Sequence, residues 1–282
     1  MADHSEAVLI TGCSTGIGRA TAEWLSERGH TVYATARKLD SIRDLEAAGC
    51  RTLALDVTDE ASMAGAVAAV EDAEGAVGAL VNNAGYSQSG AVESVGLDEV
   101  RAQFETNVFG LVRMSQLVLP GMRRQGWGRI VNVGSMGGRV TFPGGGVYHA
   151  TKHAVEAISD AMRFEVEGFG IGVALIQPGL IRTDFAKTAV GTLHSGTVGE
   201  GPYGEFNQVV AAGTVGAYEG PTSKLGGGPQ AVAKAIEKAI RSSRPRARYP
   251  VTPSARIVMG LHSLCSDRMW DSLMRRQFPR PG

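Results

Sequence analysis

Short runs of aliphatic and β-branched residues alternate along this chain with longer stretches in which apolar positions recur every three or four residues. The runs Ala7–Thr11, Thr31–Thr35, Arg51–Leu55, Ala79–Asn82, Arg129–Val133 and Gly172–Ile176 read as strands. Strands covered on both faces carry continuous apolar runs with no polar side. Between them the helical period predicts helices over Gly16–Arg28, Leu39–Ala48, Glu60–Ala73 and Tyr148–Gly168, and a long one from Leu97 to Arg124 interrupted near Pro120. Such alternation implies right-handed crossovers and a parallel sheet. The expected fold is α/β, a single-domain doubly wound parallel sheet over residues 1–282 with helices on both faces. Ligands bind beyond the carboxyl ends of such strands.

The pattern breaks after Pro178. Residues 184–228 are rich in Gly, Thr and Ser and hold no sustained period, and Pro229–Ser242 then reads as a helix with proline in its first turn. A long structureless stretch inside one domain is uncommon, so 184–228 reads as a substrate lid, or else as a surface insertion.

Composition narrows the picture. Apolar residues make up 43% and charged residues 20% of the chain, which excludes a disordered protein. No stretch approaches the ~18 apolar residues of a membrane span, and Met1–Glu6 is too polar to begin a signal peptide. Cys13, Cys50 and Cys265 are odd in number and widely spaced, so neither a disulfide framework nor a metal site is expected. A reduced, cytoplasmic protein with no nucleic-acid partner is the expectation. Formal charge balances, yet nine arginines, two aspartates and no lysine fall from Arg241 onward. The basic C-terminal segment, about 243–282, would pair with the acidic body or a sister subunit, or meet an anionic substrate or membrane surface. It also carries Ile257, Leu261, Leu264, Trp270 and Leu273 at helical spacing. These fit a pocket cover, a subunit interface or a membrane-surface contact.

The chemistry begins at Thr11-Gly12-Cys13-Ser14-Thr15-Gly16-Ile17-Gly18, between the first strand and first helix. Glycines there allow a tight turn and close approach of a pyrophosphate, and the helix N-terminus offers it free N–H groups. A Gly-x-x-x-Gly-x-Gly spacing preceded by Thr resembles the short-chain dehydrogenase/reductase family. The resemblance recurs in family order over about residues 7–185: Asn82-Asn83-Ala84-Gly85, Asn107, Ser135, Tyr148-His149-Ala150-Thr151-Lys152, and Pro178-Gly179 with Ile181 and Thr183. It implies a Rossmann-type fold binding a dinucleotide through Gly12, Ser14, Thr15, Gly16, Ile17, Gly18, Asn83, Ala84, Gly85, Tyr148, Lys152, Pro178, Gly179, Ile181 and Thr183. Asp56 and Val57 look like the adenine-contacting pair of the family. The family often has Ser-Ser where this chain has Gly134-Ser135, a departure expected to alter packing more than chemistry.

Carbonyl reduction needs a proton for oxygen as hydride reaches carbon, and alcohol oxidation needs the reverse. A free tyrosine, with pKa about 10, is a poor base at neutral pH. Lys152 stands four residues after Tyr148 on one helix face, where an ammonium would favour the phenolate. Ser135 would bind the substrate oxygen, and Asn107, by resemblance, would hold a water relaying protons from Lys152. A lone Tyr-x-x-x-Lys would be an ordinary surface pair; Ser135 and the other motifs turn it into a catalytic set. His149 and His153 read as helix-face residues without a catalytic role.

At the end of the second strand an acidic residue would select NAD. The chain has Thr35-Ala36-Arg37-Lys38 instead, so Arg37 is expected to bind a 2′-phosphate and NADP(H) to be preferred, with NAD(H) possible. A solvated turn is the other reading of Arg37 and Lys38. Phe185, Leu193, Tyr203 and Phe206, with Val140 and Phe142, would line an apolar pocket for a lipophilic carbonyl or alcohol, or belong to the core. By resemblance the Ala-Thr-x-Arg segment is similar to a branch acting on steroid- or retinol-like alcohols. The resemblance implies a homo-oligomer, dimer or tetramer, since members of the family commonly pair through the long fourth and fifth helices. A catalytically idle dinucleotide-binding regulator on the same fold is the alternative function, and the glycine spacing argues against an epimerase or dehydratase.

Overall fold

The computed structural model describes residues 4–193 and 201–281; positions 194–200 of the expected lid lie outside the described residues. Strands β1 (Val8–Ile10), β2 (Val32–Ala36), β3 (Arg51–Ala54), β4 (Ala79–Asn82), β5 (Gly128–Val133), β6 (Ile171–Gln177) and β7 (Arg248–Pro250) form one sheet. Its order is β3-β2-β1-β4-β5-β6-β7 and all pairings are parallel. The reversal of strand order beside β1 is the switch point at which doubly wound sheets bind ligands.

The two-residue period of the strands splits the core in two. Val8, Ile10, Val81, Val131, Ala174 and Ile176 pack on one face with α1 (Gly16–Ser26) and α8 (Pro229–Arg241). Leu9, Leu80, Ile130 and Val173 pack on the other with α2 (Glu60–Glu74), α4 (Gly110–Gln125) and α5 (Gly146–Val166). Neighbouring residues of one strand thus serve opposite layers, so both faces are apolar.

Four expectations change. Leu39–Ala48 is two short 3₁₀ turns, Leu39–Ser41 and Arg43–Glu46, rather than an α-helix. Its apolar residues Leu39, Ile42 and Leu45 are spaced by three, the 3₁₀ repeat, and Ile42 and Leu45 are buried. Pro120 sits inside α4 without ending it; it is exposed, as is Gln116 one turn earlier, whose carbonyl can turn to water. The break instead falls after α3 (Leu97–Phe104), where Glu105–Phe109 form one π-helical turn around Asn107.

The described part of 184–228 contains α6 (Phe185–Gly191) and α7 (Gly204–Glu219). Glycines and small residues on α7 hide its period. Strand β7 went unforeseen because only its central Tyr249 is buried. It is held through side chains as well as the ladder: Arg248 pairs with Glu156 and Asp160 of α5, and Glu156 accepts from Gln177 at 2.6 Å. Helices α9 (Pro253–Leu264) and α10 (Asp267–Met274) complete the tail. No helix is long and apolar enough to cross a membrane among the described residues.

Candidate active site

One cleft of about 1150 Å³ runs along the carboxyl ends of the strands. Small-ligand pockets span roughly 300–1,000 Å³, so it has room for a dinucleotide and a second molecule.

Its phosphate end is built by close approach of backbone. Gly12 (φ +74°) and Gly16 (φ +60°) adopt the left-handed region that favours glycine. A Cβ on Gly18 would lie 2.2 Å from the Gly12 oxygen and 2.5 Å from Asn83 Nδ2. Asn83 explains the tightness, since its Nδ2 donates to the carbonyls of Thr11 and Gly12 at 2.9 and 3.0 Å. Thr11 Oγ1 accepts from the backbone N–H groups of Asn83 and Ala84, both at 3.0 Å. The Thr15 side chain leaves the first-turn N–H groups of α1 uncapped, open to an anion. Gly12, Ser14, Thr15, Gly16 and Ile17 line the cleft, whereas Gly18 lies behind them as the residue that lets the loop close.

Arg37, Asp56, Val57, Asn83, Ala84, Gly85, Pro178, Gly179, Ile181 and Thr183 all line the same cleft. Arg37 is exposed and has no carboxylate partner among the described residues; nearby Asp40 and Asp44 pair with Arg43 and Arg19. Asp56 turns inward on its own loop, accepting from the Thr58 N–H at 2.9 Å. The glycine cradle and the uncapped helix end fit a dinucleotide, with the Arg37 guanidinium left free of a carboxylate beside them.

At the other end Ser135, Tyr148 and Lys152 converge. Ser135 follows β5, and its Oγ accepts from Gly137 N–H at 3.0 Å. Gly134 before it suits this packing: a Cβ there would meet Leu175 Cδ1 at 2.9 Å. Lys152 Nζ donates to the Val133 carbonyl at 2.9 Å and lies 5.9 Å from the centre of the Tyr148 ring. Burial pushes the Tyr148 phenol up to about 12, and the Ser135 hydroxyl pulls against that rise. Burial pushes Lys152 down to about 8. The expected lowering of Tyr148 by Lys152 therefore does not govern this cleft. The Tyr148 shift comes from loss of solvent, opposed by the Ser135 hydrogen bond.

Asn107 does not face the cleft. Its Oδ1 accepts from Tyr86 N–H at 3.1 Å, and its Nδ2 donates to the Tyr86 carbonyl and Thr151 Oγ1 at 2.9 and 3.1 Å. The side chain is thus spent on clamping the π turn to the loop after β4 and to α5, next to Lys152. His149 lies on α5, as expected. It is buried on the cleft wall, with Nδ1 3.0 Å from the Gly137 carbonyl, and burial lowers it to about 4. A neutral imidazole there supports the turn that carries Ser135. No cluster of metal ligands occurs among the described residues.

Of the expected apolar lining, Phe142 and Phe185 face the cleft, and the Phe185 ring packs 5.6 Å from that of Tyr148. Val140, Leu193 and Phe206 are core residues, and Tyr203 reaches outward to Glu93. Tyr86, Met136, Val210, Tyr218 and Phe278 line the cleft unforeseen. Tyr218 and Phe278 are brought in by distant segments, a placement no local pattern announces. Burial, with Tyr148 beside it, pushes the Tyr218 phenol far above its ordinary value.

Known proteins resemble this chain in sequence and in fold. The family model described as short chain dehydrogenase matches residues 6–193. The chain is 32% identical over 281 residues, covering 96% of it and 97% of the relative, to a protein named NADPH-dependent 3-dehydrocapnine reductase from Ornithobacterium rhinotracheale. It is 43% identical over 180 residues, 64% of this chain and 65% of the relative, to one named 3-ketodihydrosphingosine reductase from Bacteroides thetaiotaomicron. A crystal structure of a short-chain dehydrogenase from Streptomyces avermitilis superposes with a TM-score of 0.74 at 32% identity, covering 96% of this chain and 95% of that one.

Proposed function

The chain belongs to the short-chain dehydrogenase family of oxidoreductases, and from that premise we propose that it is NADP(H)-dependent and acts on a carbonyl or secondary alcohol of a lipophilic substrate. The carrying observation is one cleft with an unpaired Arg37 at its phosphate end and the Ser135, Tyr148 and Lys152 side chains in an arm lined by Phe142, Phe185, Val210 and Phe278. The relative named NADPH-dependent 3-dehydrocapnine reductase supports the same cofactor.

When bound, NADPH supplies the hydride. Ser135 Oγ donates to the substrate oxygen and orients it toward the Tyr148 hydroxyl, which gives up its proton as negative charge develops there. A phenol raised to about 12 holds that proton firmly until then, which suits reduction. The resulting phenolate is stabilised by the Lys152 ammonium. Asn107 and His149 act as positioning residues behind Lys152 and Ser135. Among the described residues, 184–193, 201–228 and the tail cover the substrate arm, a reading supported by Phe185, Tyr218 and Phe278 on its wall. Exposed Phe109, Phe164 and Phe169 beside α4 and α5 support a homo-oligomer.

The pH dependence follows from the two shifted groups. Lys152 loses its proton at about 8, below an exposed lysine, whereas Tyr148, at about 12, stays protonated through the working range. Carbonyl reduction is therefore level below pH about 8 and declines above it, while oxidation, which needs Tyr148 as base, climbs with pH. Initial rates in both directions check this, and a reductive rate still rising above pH about 9 would remove Lys152 from the role given it.

The substrate reading is tested by NADPH consumption with a series of 3-oxo compounds of increasing chain length. Each methylene buried in the apolar arm is expected to raise kcat/KM by up to about fourfold until the arm is full. Indifference to chain length would sink the lipophilic assignment and leave the redox chemistry standing.

A further inference from the structure

Helices α9 and α10 turn one face to the body of the protein and the other outward. On the inner side Ser254 and Ala255 are buried, Trp270 Nε1 donates to the Thr141 carbonyl at 3.3 Å, and the Trp270 ring lies 5.9 Å from that of Phe142. The chain then continues to Gln277 and Phe278 on the cleft wall. On the outer side Ile257, Leu261 and Leu264 are 53%, 48% and 83% exposed. Their spacing of four and three places them in one stripe along α9. Met269 on α10 is 56% exposed. Scattered exposed apolar residues need no explanation, but a stripe of them marks a contact surface.

The charges around the stripe decide what it contacts. Arg256, Arg268, Arg276 and Arg280 are exposed and have no carboxylate partner among the described residues, whereas Arg248 and Arg275 are paired. Arg268 follows Leu264 by four residues, just past the end of α9. A second copy of the chain docking through this same face in a two-fold contact would bring one set of unpaired arginines against the other, with Asp267 the single acid of α9 and α10 outside an ion pair to offset them. An anionic bilayer suits both features, because aliphatic tips sink to the acyl boundary while arginines remain at the phosphates.

We propose that the outer face of α9 and α10 docks on an anionic lipid surface, which brings the segment that supplies Phe278 to the cleft wall close to the membrane and shortens the path of a lipophilic substrate into the cleft. That purpose rests on the substrate reading above, whereas the docking itself is measured without substrate.

The test is co-sedimentation of the full chain with vesicles of phosphatidylcholine alone or mixed with about one third phosphatidylglycerol. Binding is expected to be about tenfold or more tighter to the anionic vesicles and to weaken as salt is raised. Leu261→Asp combined with Leu264→Asp, and separately Arg268→Glu combined with Arg276→Glu, should each weaken it by about tenfold or more. The substituted side chains are exposed, so the melting temperature of each variant should stay within a few degrees of the parent, separating lost docking from lost folding. Equal binding to neutral and anionic vesicles, or no binding to either, overturns the proposal. Unaltered binding of well-folded variants overturns it too. Loss of self-association in the leucine variant, measured by sedimentation velocity, together with absent vesicle binding, would assign the face to a second copy of the chain.

Discussion

Tyr148→Phe is expected to lower turnover by about 10²–10⁴-fold, the range for loss of a positioned acid, while NADPH affinity changes little. The substitution removes only the hydroxyl. The ring keeps its packing against His149 at 5.5 Å and Phe185 at 5.6 Å, so the wall of the substrate arm is preserved. The phenol makes no bond that stabilises the fold apart from its contact with Ser135, and no loss of stability is foreseen. Single-turnover kinetics beside cofactor titration separate the two quantities. A variant with parental turnover would remove Tyr148 as proton donor, and one that bound NADPH poorly would assign it a binding role instead.

Arg37→Asp should weaken NADPH by about 100-fold and leave NADH within a few-fold, inverting the cofactor preference. A charge-assisted hydrogen bond is worth about 1.5–3 kcal/mol, or roughly 10–150-fold, and the new carboxylate adds repulsion toward a 2′-phosphate. The geometry leaves little else to take over. Asp40 and Asp44 hold the neighbouring Arg43 and Arg19 in ion pairs, so those guanidiniums are already engaged. Titration calorimetry with both cofactors measures the ratio, and an equal loss for NADPH and NADH would move Arg37 out of the phosphate pocket.

Much of the cleft was legible through the family resemblance, and its parts sit at strand ends, where local sequence and location coincide. The glycine loop follows β1, Arg37 follows β2, Asn83 follows β4 and Ser135 follows β5. Once the strands are recognised, a parallel sheet brings those ends together. Residues four apart share a helix face, which put Tyr148 beside Lys152, and the resemblance turned that pair into a catalytic one. Asn107 shows the limit. Its type and position were noticed, but its π turn and its commitment to Tyr86 and Thr151 depend on a loop and a helix remote in the chain.

The alternation of apolar runs by itself determined the doubly wound sheet, because buried strands and amphipathic helices are written in local periodicity. The motif residues, through the family resemblance, pointed to the strand ends proposed to bear the chemistry. Only the tertiary structure decided the protonation of the site. Burial raises Tyr148 to about 12 and lowers Lys152 to about 8. It also decided the substrate arm, drawing Tyr218 and Phe278 from distant segments onto the wall beside Phe185 and setting Leu193 and Phe206 in the core. Desolvation and long-range packing depend on what surrounds a residue in space, and that is not carried by its neighbours in the chain.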